Sequence, residues 1–372
     1  MKILVLSCST GEGHNSAAKA VCEALNNTGA ECELKDPVSF KGEKTPKTIA
    51  KLYNNLIKKT PRAFGAVYKL GGLYDSSHLP SPIYAWNAAY ADKLNEYIIA
   101  NGFDAVVSTH LYGMEALTAI KRAGKQTVPF YGVITDYTVI PFTRETELDE
   151  YFIPHTELKN VFKVKGMGED RLNATGIPVS PAIRDEVDVT ETRKALGLPT
   201  DKKIILLMSG GVGCESIKPL LKRFEKNADS DRFYCVLVGN NKKLKEKIEK
   251  SCPADKVAAV GFTDKVRLYL KCSDVVISKS GGLSSTEVAV ANVPLVHFKP
   301  IPGCETFNAR FFEDKGLSKL AKNGADAIRL AEELLDNENE RTAMLSAQRE
   351  EINAFSADDI ARRITECRSV SI

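Results

Sequence analysis

With 372 residues, 43% hydrophobic and 27% charged, the chain has the make-up of a soluble globular protein too long for one ordinary core, so two domains are expected. A net charge of +3 is nearly neutral for this length; it argues against a dedicated nucleic-acid binder and leaves only local basic patches to weigh. No apolar run approaches the roughly 18 residues that a membrane span needs. Nine cysteines without a C-x-x-C pair read as free thiols of a reducing cytosol, and Met1-Lys2 runs straight into a strand with no targeting segment.

Ile3 to Leu6 is a buried-type strand, Ser7 to His14 its turn, and Asn15 to Asn26 a helix with Ala17, Ala18, Val21 and Leu25 at helical spacing. The turn resembles a dinucleotide fingerprint, but the position of its last Gly or Ala is Ser16, so that site does not fit. His14 stands after the second glycine, at the carboxyl end of the first strand, where open α/β sheets bind ligands. Between Lys44 and Tyr74 there are seven basic residues and no acidic one, with Ile49, Leu52, Tyr53, Leu56 and Ile57 on one helical face. Such a segment either lies on an anionic bilayer, at about 1 kcal/mol per Lys or Arg, or packs its apolar face on the domain with its lysines solvated. Strands at 104–108 and 130–134 end in Thr109-His110 and Thr135-Asp136-Tyr137, so His14, His110 and Asp136 fall at successive strand ends, as in a reaction cleft.

The alternation restarts with the strand 203–208 and the turn Ser209-Gly210-Gly211-Val212-Gly213, then a strand at 234–238 and another that closes on Gly261-Phe262. Cys272 to Ile277 is an apolar strand, Ser278 to Gly282 a turn, and Glu287 to Asn292 a helix closed by Pro294. A strand, a turn of small residues and a helix leave unpaired N–H groups and the positive end of a helix dipole, a place for phosphate. Gly281 and Gly282 allow close approach, and Ser284, Ser285 and Thr286 can cap the helix or donate to an anion. An ordinary capped turn would look similar, and the Walker spacing is missing. Two α/β halves, each with a Gly turn, predict two Rossmann-like domains across a cleft: residues 1–182 and 183–354, with a last helix in 355–372 that returns to the first.

Gly11-Glu12-Gly13-His14-Asn15-Ser16-Ala17-Ala18 resembles the G-x-G-H-x-x-A-A motif of monogalactosyldiacylglycerol synthases and processive diacylglycerol glucosyltransferases. Ser278 to Glu287 resembles their S-x-x-G-G-x-[ST]-x-x-E segment, and Pro302-Gly303-Cys304-Glu305 to Asn308-Ala309 their P-G-Q-E-x-x-N-A; Val133 to Tyr137 and Thr175 to Pro178 complete the series in order. The resemblance implies a GT-B fold and inverting hexose transfer from a UDP-sugar to a lipid hydroxyl. It implies that Ser280, Gly281, Gly282, Ser284 and Thr286 cradle the diphosphate near Gly210, Gly211 and Gly213, and that Glu287 holds the ribose. Gly261-Phe262 would border the uracil, and Glu305 and Asn308 would lie near the sugar. The base is His14 or Asp136, and neither a cofactor nor a metal is required, because the helix dipole and backbone N–H groups offset the diphosphate charge. Lys51, Lys58, Lys59 and Arg62 would dock on an anionic membrane at the cytoplasmic face of the cell membrane, with His110 on the acceptor side.

Two departures matter. Cys304 replaces the usual Gln, leaving the hexose open, and Thr138 to Thr143 lacks the usual His and Trp, leaving the acceptor open. Alternatives are a polyprenyl-linked or soluble acceptor, or a non-catalytic nucleotide-sugar sensor, which would have no use for a base. The UDP-GlcNAc 2-epimerases share the architecture, but no motif here favours them.

Overall fold

The computed structural model describes residues 1–8, 12–49, 71, 80–208, 231–298 and 300–366, with backbone alone for Glu12. The chain divides into two compact units: Met1–Ala182 with Pro302–Cys304 and Asn353–Ile372, and Ile183–Ile301 with Glu305–Ile352.

The first unit holds a six-stranded parallel sheet of β1 (Lys2–Leu6), β2 (Glu31–Lys35), β3 (Ala105–Ser108), β4 (Phe130–Val133), β5 (Glu150–Phe152) and β6 (Leu172–Asn173), in the order β2-β1-β3-β4-β5-β6. Strands buried on both faces read as unbroken apolar runs, and β3 and β4 are buried at every residue. The chain leaves β1 for β2 on one side and later returns to β3 on the other. The carboxyl ends of β1 and β3 at this reversal therefore mark a topological switch point, the place where open α/β sheets bind ligands. Ile3, Val5, Val107 and Phe152 of the sheet pack with Ala18, Val21 and Leu25 of the Glu12–Asn27 helix and with Ile360 and Ile364 of the Ser356–Glu366 helix. Gly176 has φ +95°, and a Cβ there would come within 3.1 Å of the Ser356 Cβ, so the Thr175–Pro178 motif marks where the C-terminal segment crosses closely. Asn353 adds a hydrogen bond from Nδ2 to the Thr175 carbonyl at 2.8 Å.

The second unit repeats the plan with β7 (Lys203–Met208), β8 (Arg232–Gly239), β9 (Val257–Gly261), β10 (Val275–Ser278), β11 (Leu295–Phe298) and β12 (Lys319–Ala321). All are parallel, in the order β12-β11-β10-β7-β8-β9. Here the reversal lies between β7 and β10, and the helix Gly282–Val290 starts beside it. Ile205, Val236, Ile277 and Val296 of the sheet pack with Ile328 and Leu334 from the helix Gly324–Asp336.

One expectation is corrected. Cys22 and Cys32 are joined in a disulfide between the first helix and β2, with Cα atoms 5.5 Å apart, so not all nine cysteines are free. A helix laid on its neighbouring strand brings together residues whose sequence spacing matches no recognised pattern. Among the described residues Cys8, Cys235 and Cys272 are free thiols.

Candidate functional site

The crevice of the first unit is built from the ends of β1, β3 and β4. A cavity of about 20 Å³, room for roughly one water, is lined by His14, Thr109, Thr135, Asp136 and Thr143 against the apolar Leu111, Met114 and Val133. His14 lies in the first turn of its helix, its Nδ1 2.9 Å from the Thr109 carbonyl and 2.9 Å from Thr135 Oγ1. Thr109 also donates from its hydroxyl to the His14 carbonyl at 3.1 Å, so one residue at the end of β3 grips both the ring and the backbone of His14. Burial lowers the pKa of His14 below 6.5, opposed by the negative charge of Asp136 and by the hydrogen bond to Thr109. A lowered pKa keeps the ring neutral at pH 7 with a lone pair to offer.

His110 is buried and stacks edge-on to His14, with ring centroids 4.7 Å apart. Its Nδ1 accepts from the Tyr112 N–H at 3.2 Å and so caps the helix Leu111–Arg122. Burial and the neighbouring His14 hold its pKa well below 6.5. His110 therefore serves as a cap and as a wall against His14.

In the second unit β10 runs into Ser280 and Gly281, and Gly281 caps the helix Gly282–Val290 without a side-chain hydrogen bond. A Cβ on Gly281 would meet nothing within 4 Å, so space lies open against the helix start, where first-turn N–H groups have no intrahelical partner. The turn is tied from behind. Ser280 Oγ donates to the Glu305 carbonyl at 2.7 Å, Asn308 Nδ2 donates to the Ser280 carbonyl at 3.0 Å, and Glu305 Oε2 accepts from the Ile301 N–H at 2.8 Å. Ser280 and Asn308 are fully buried, so they brace the turn. Thr286 is buried as well, and its hydroxyl donates to the Gly282 carbonyl at 2.8 Å, which leaves Ser284 as the more accessible first-turn hydroxyl. Glu287 is half-buried, and desolvation pushes its carboxyl up to about 7. Phe262, just past β9, is 72% exposed.

His297 has no part in the sequence reading beyond its place in a strand. It is fully buried in β11, with Nε2 2.8 Å from Ser285 Oγ and Nδ1 3.0 Å from Ser318 Oγ, and burial lowers its pKa to about 3. A lone histidine inside the apolar run Leu295–Phe298 is the only signal that could have revealed it. Gly210, Gly211 and Gly213, like Lys51, Lys58, Lys59 and Arg62, lie outside the described residues.

Residues 14–179 match the family described as Monogalactosyldiacylglycerol (MGDG) synthase, and residues 188–351 match Glycosyl transferases group 1. The processive diacylglycerol beta-glucosyltransferase of Bacillus thuringiensis is 26% identical over 98% of this chain and 93% of its own. That of Bacillus pumilus is 25% identical over 92% of this chain and 89% of its own. Among solved structures, the S. aureus MnaA–UDP complex superposes with a TM-score of 0.66 at 15% identity, over 99% of this chain and 97% of that one. Acinetobacter baumannii MurG superposes at 0.62 and 15% identity, over 98% and 99%. These likenesses carry the fold, which is GT-B. The first half of the chain thus matches the monogalactosyldiacylglycerol synthase family and the second half the group 1 glycosyl transferases, the chain is similar over nearly its full length to processive diacylglycerol beta-glucosyltransferases, and it is a glycosyltransferase.

Proposed function

We propose that the protein transfers a hexose from a UDP-sugar, with inversion, to diacylglycerol or a related lipid at the cytoplasmic face of the cell membrane. The observation that carries this reading is His14: a neutral imidazole at the β1/β3 reversal, beside Asp136 and facing a small cavity. The acceptor hydroxyl gives its proton to His14 as its oxygen bonds to the anomeric carbon, and the bond from that carbon to the diphosphate breaks with its electron pair leaving on UDP. At the other end of the reaction, the Gly281 turn and the helix start receive the diphosphate, and Glu287 accepts from the ribose hydroxyls. All strands of the second sheet run parallel, so Phe262 projects from the same edge as Gly281, three strand spacings or roughly 14 Å away, a distance suited to stacking the uracil. This plan assigns no role to a cofactor or a metal, and chelation is expected to leave turnover unchanged. Among the described residues no helix is long and apolar enough to cross a membrane, which accords with a peripheral enzyme.

The test is UDP release with diacylglycerol vesicles and UDP-glucose, UDP-galactose or UDP-GlcNAc side by side. Lipid-dependent release with a glycolipid product is expected, and His14→Ala is expected to cut turnover by roughly 10²-fold or more while UDP binding persists. UDP binding without lipid-dependent release from any donor would move the acceptor off diacylglycerol.

A further inference from the structure

The tautomer of His14 follows from what surrounds its Nδ1. A carbonyl oxygen can only accept, so the 2.9 Å contact with Thr109 is a hydrogen bond only when Nδ1 carries the proton. Thr135 Oγ1, also 2.9 Å from Nδ1, then shares that proton as a second acceptor, a forked arrangement common in proteins. Nε2 is left with the lone pair and has no hydrogen-bond partner among the described residues. Both groups at Nδ1 are threonine oxygens, while Asp136 acts on the ring through its charge.

We infer that Thr135 is a positioning residue for the transfer reaction, which with the Thr109 carbonyl holds His14 as its Nδ1–H tautomer and so makes Nε2 the basic atom. The inference rests on the transferase reading. The acceptor hydroxyl's proton goes to Nε2, the Nδ1 proton stays between the two threonines, and the resulting imidazolium has each N–H met by an oxygen. Thr135 belongs to the loop after β4 and Thr109 to the end of β3, so the device spans adjacent strands and keeps the ring from turning over. Thr135 is 8% exposed, which keeps water from competing for the shared proton.

The test uses the full chain labelled with ¹⁵N-histidine, with the His14 signals assigned by their loss in His14→Gln. Long-range ¹H–¹⁵N spectra of the wild type at pH 7 are expected to show the Nδ1–H form, and Thr135→Val a mixture of both forms. Turnover in Thr135→Val is expected to fall on the order of 10-fold, a fraction of what a general base supplies. Its UDP affinity is expected to be unchanged, and the acid limb of its pH profile to move to lower pH, because an acceptor for the imidazolium is gone. Thr135→Ser, which keeps the oxygen, should restore all three. An Nε2–H form in the wild type would overturn the inference, and so would a Thr135→Val protein with unaltered tautomer, rate and acid limb. The spectra need no substrate: an unmixed Nδ1–H tautomer in Thr135→Val counts against Thr135 whatever the acceptor is, whereas absent turnover with every donor counts against the transferase reading alone.

Discussion

The proposed ribose contact of Glu287 would link donor binding to pH. Its carboxyl is raised from 4.5 to about 7 by burial, so near neutrality the empty site is about half protonated. A ribose held by this group needs the carboxylate, which accepts two hydrogen bonds, so binding must release a proton. UDP affinity is therefore expected to rise with pH through about 7, and calorimetry in buffers of different ionisation enthalpy should register proton release. Glu287→Gln should lose both effects and bind UDP more weakly by roughly 1–3 kcal/mol. Pure affinity loss with no change in proton release would place Glu287 away from the ribose. At this scale sequence reading reaches residue identity and fails on direction. Ser284, Ser285 and Thr286 look interchangeable in a helix start, yet two of them turn inward, Ser285 to His297 and Thr286 to a helix carbonyl. Ser285 and His297 are 12 residues apart and Ser318 a further 21, and only the pairing of β10, β11 and β12 makes them neighbours.

Among the elements, the helix Leu111–Arg122 carries an anomaly that its sequence hides. Glu115 is fully buried, with its carboxyl pushed up to about 9 by burial; Asn87 donates to it from the helix Pro82–Ala88, and Glu145 lies beside it. The native state keeps this proton between pH 4.5 and about 9, where the unfolded chain has lost it. Stability should therefore fall as pH rises through that window, by up to about 1.4 kcal/mol per pH unit. Glu115→Gln replaces the acid O–H with an N–H and removes the charge. It is expected to be the more stable protein at pH 8 and to show a flatter profile in thermal melts from pH 6 to 9. A melting temperature that drops equally at every pH would mean that the site is shaped for the acid and that its titration is irrelevant. Strand and helix alternation was legible because strands buried on both faces appear as runs such as Val275 to Ile277. The polarity of Glu115 was not, because an acidic residue in a helix reads as solvent-facing until its neighbours are known.

At the scale of the molecule, the proposed membrane contact rests on charge carried by Lys51, Lys58, Lys59 and Arg62. Neutralising all four is expected to reduce sedimentation with anionic vesicles substantially, at about 1 kcal/mol per charge, and added salt should mimic the change. Binding indifferent to both would leave the segment as an ordinary domain face. The fold itself was readable because each half repeats strand, glycine turn and helix, which permits few topologies beyond a parallel sheet.

The return of the C-terminal segment to the first unit also sets a timetable. During synthesis a ribosome releases residues 1–182 long before Ile360 and Ile364, which fill the core beside Val21 and Leu25. The second unit is contiguous apart from the short break at Pro302–Cys304 and can close first, whereas the half made earliest waits, with an apolar groove uncovered, for its last helix. At ~5–20 residues per second that wait lasts roughly ten seconds or more, an interval in which the nascent chain depends on whatever shields it.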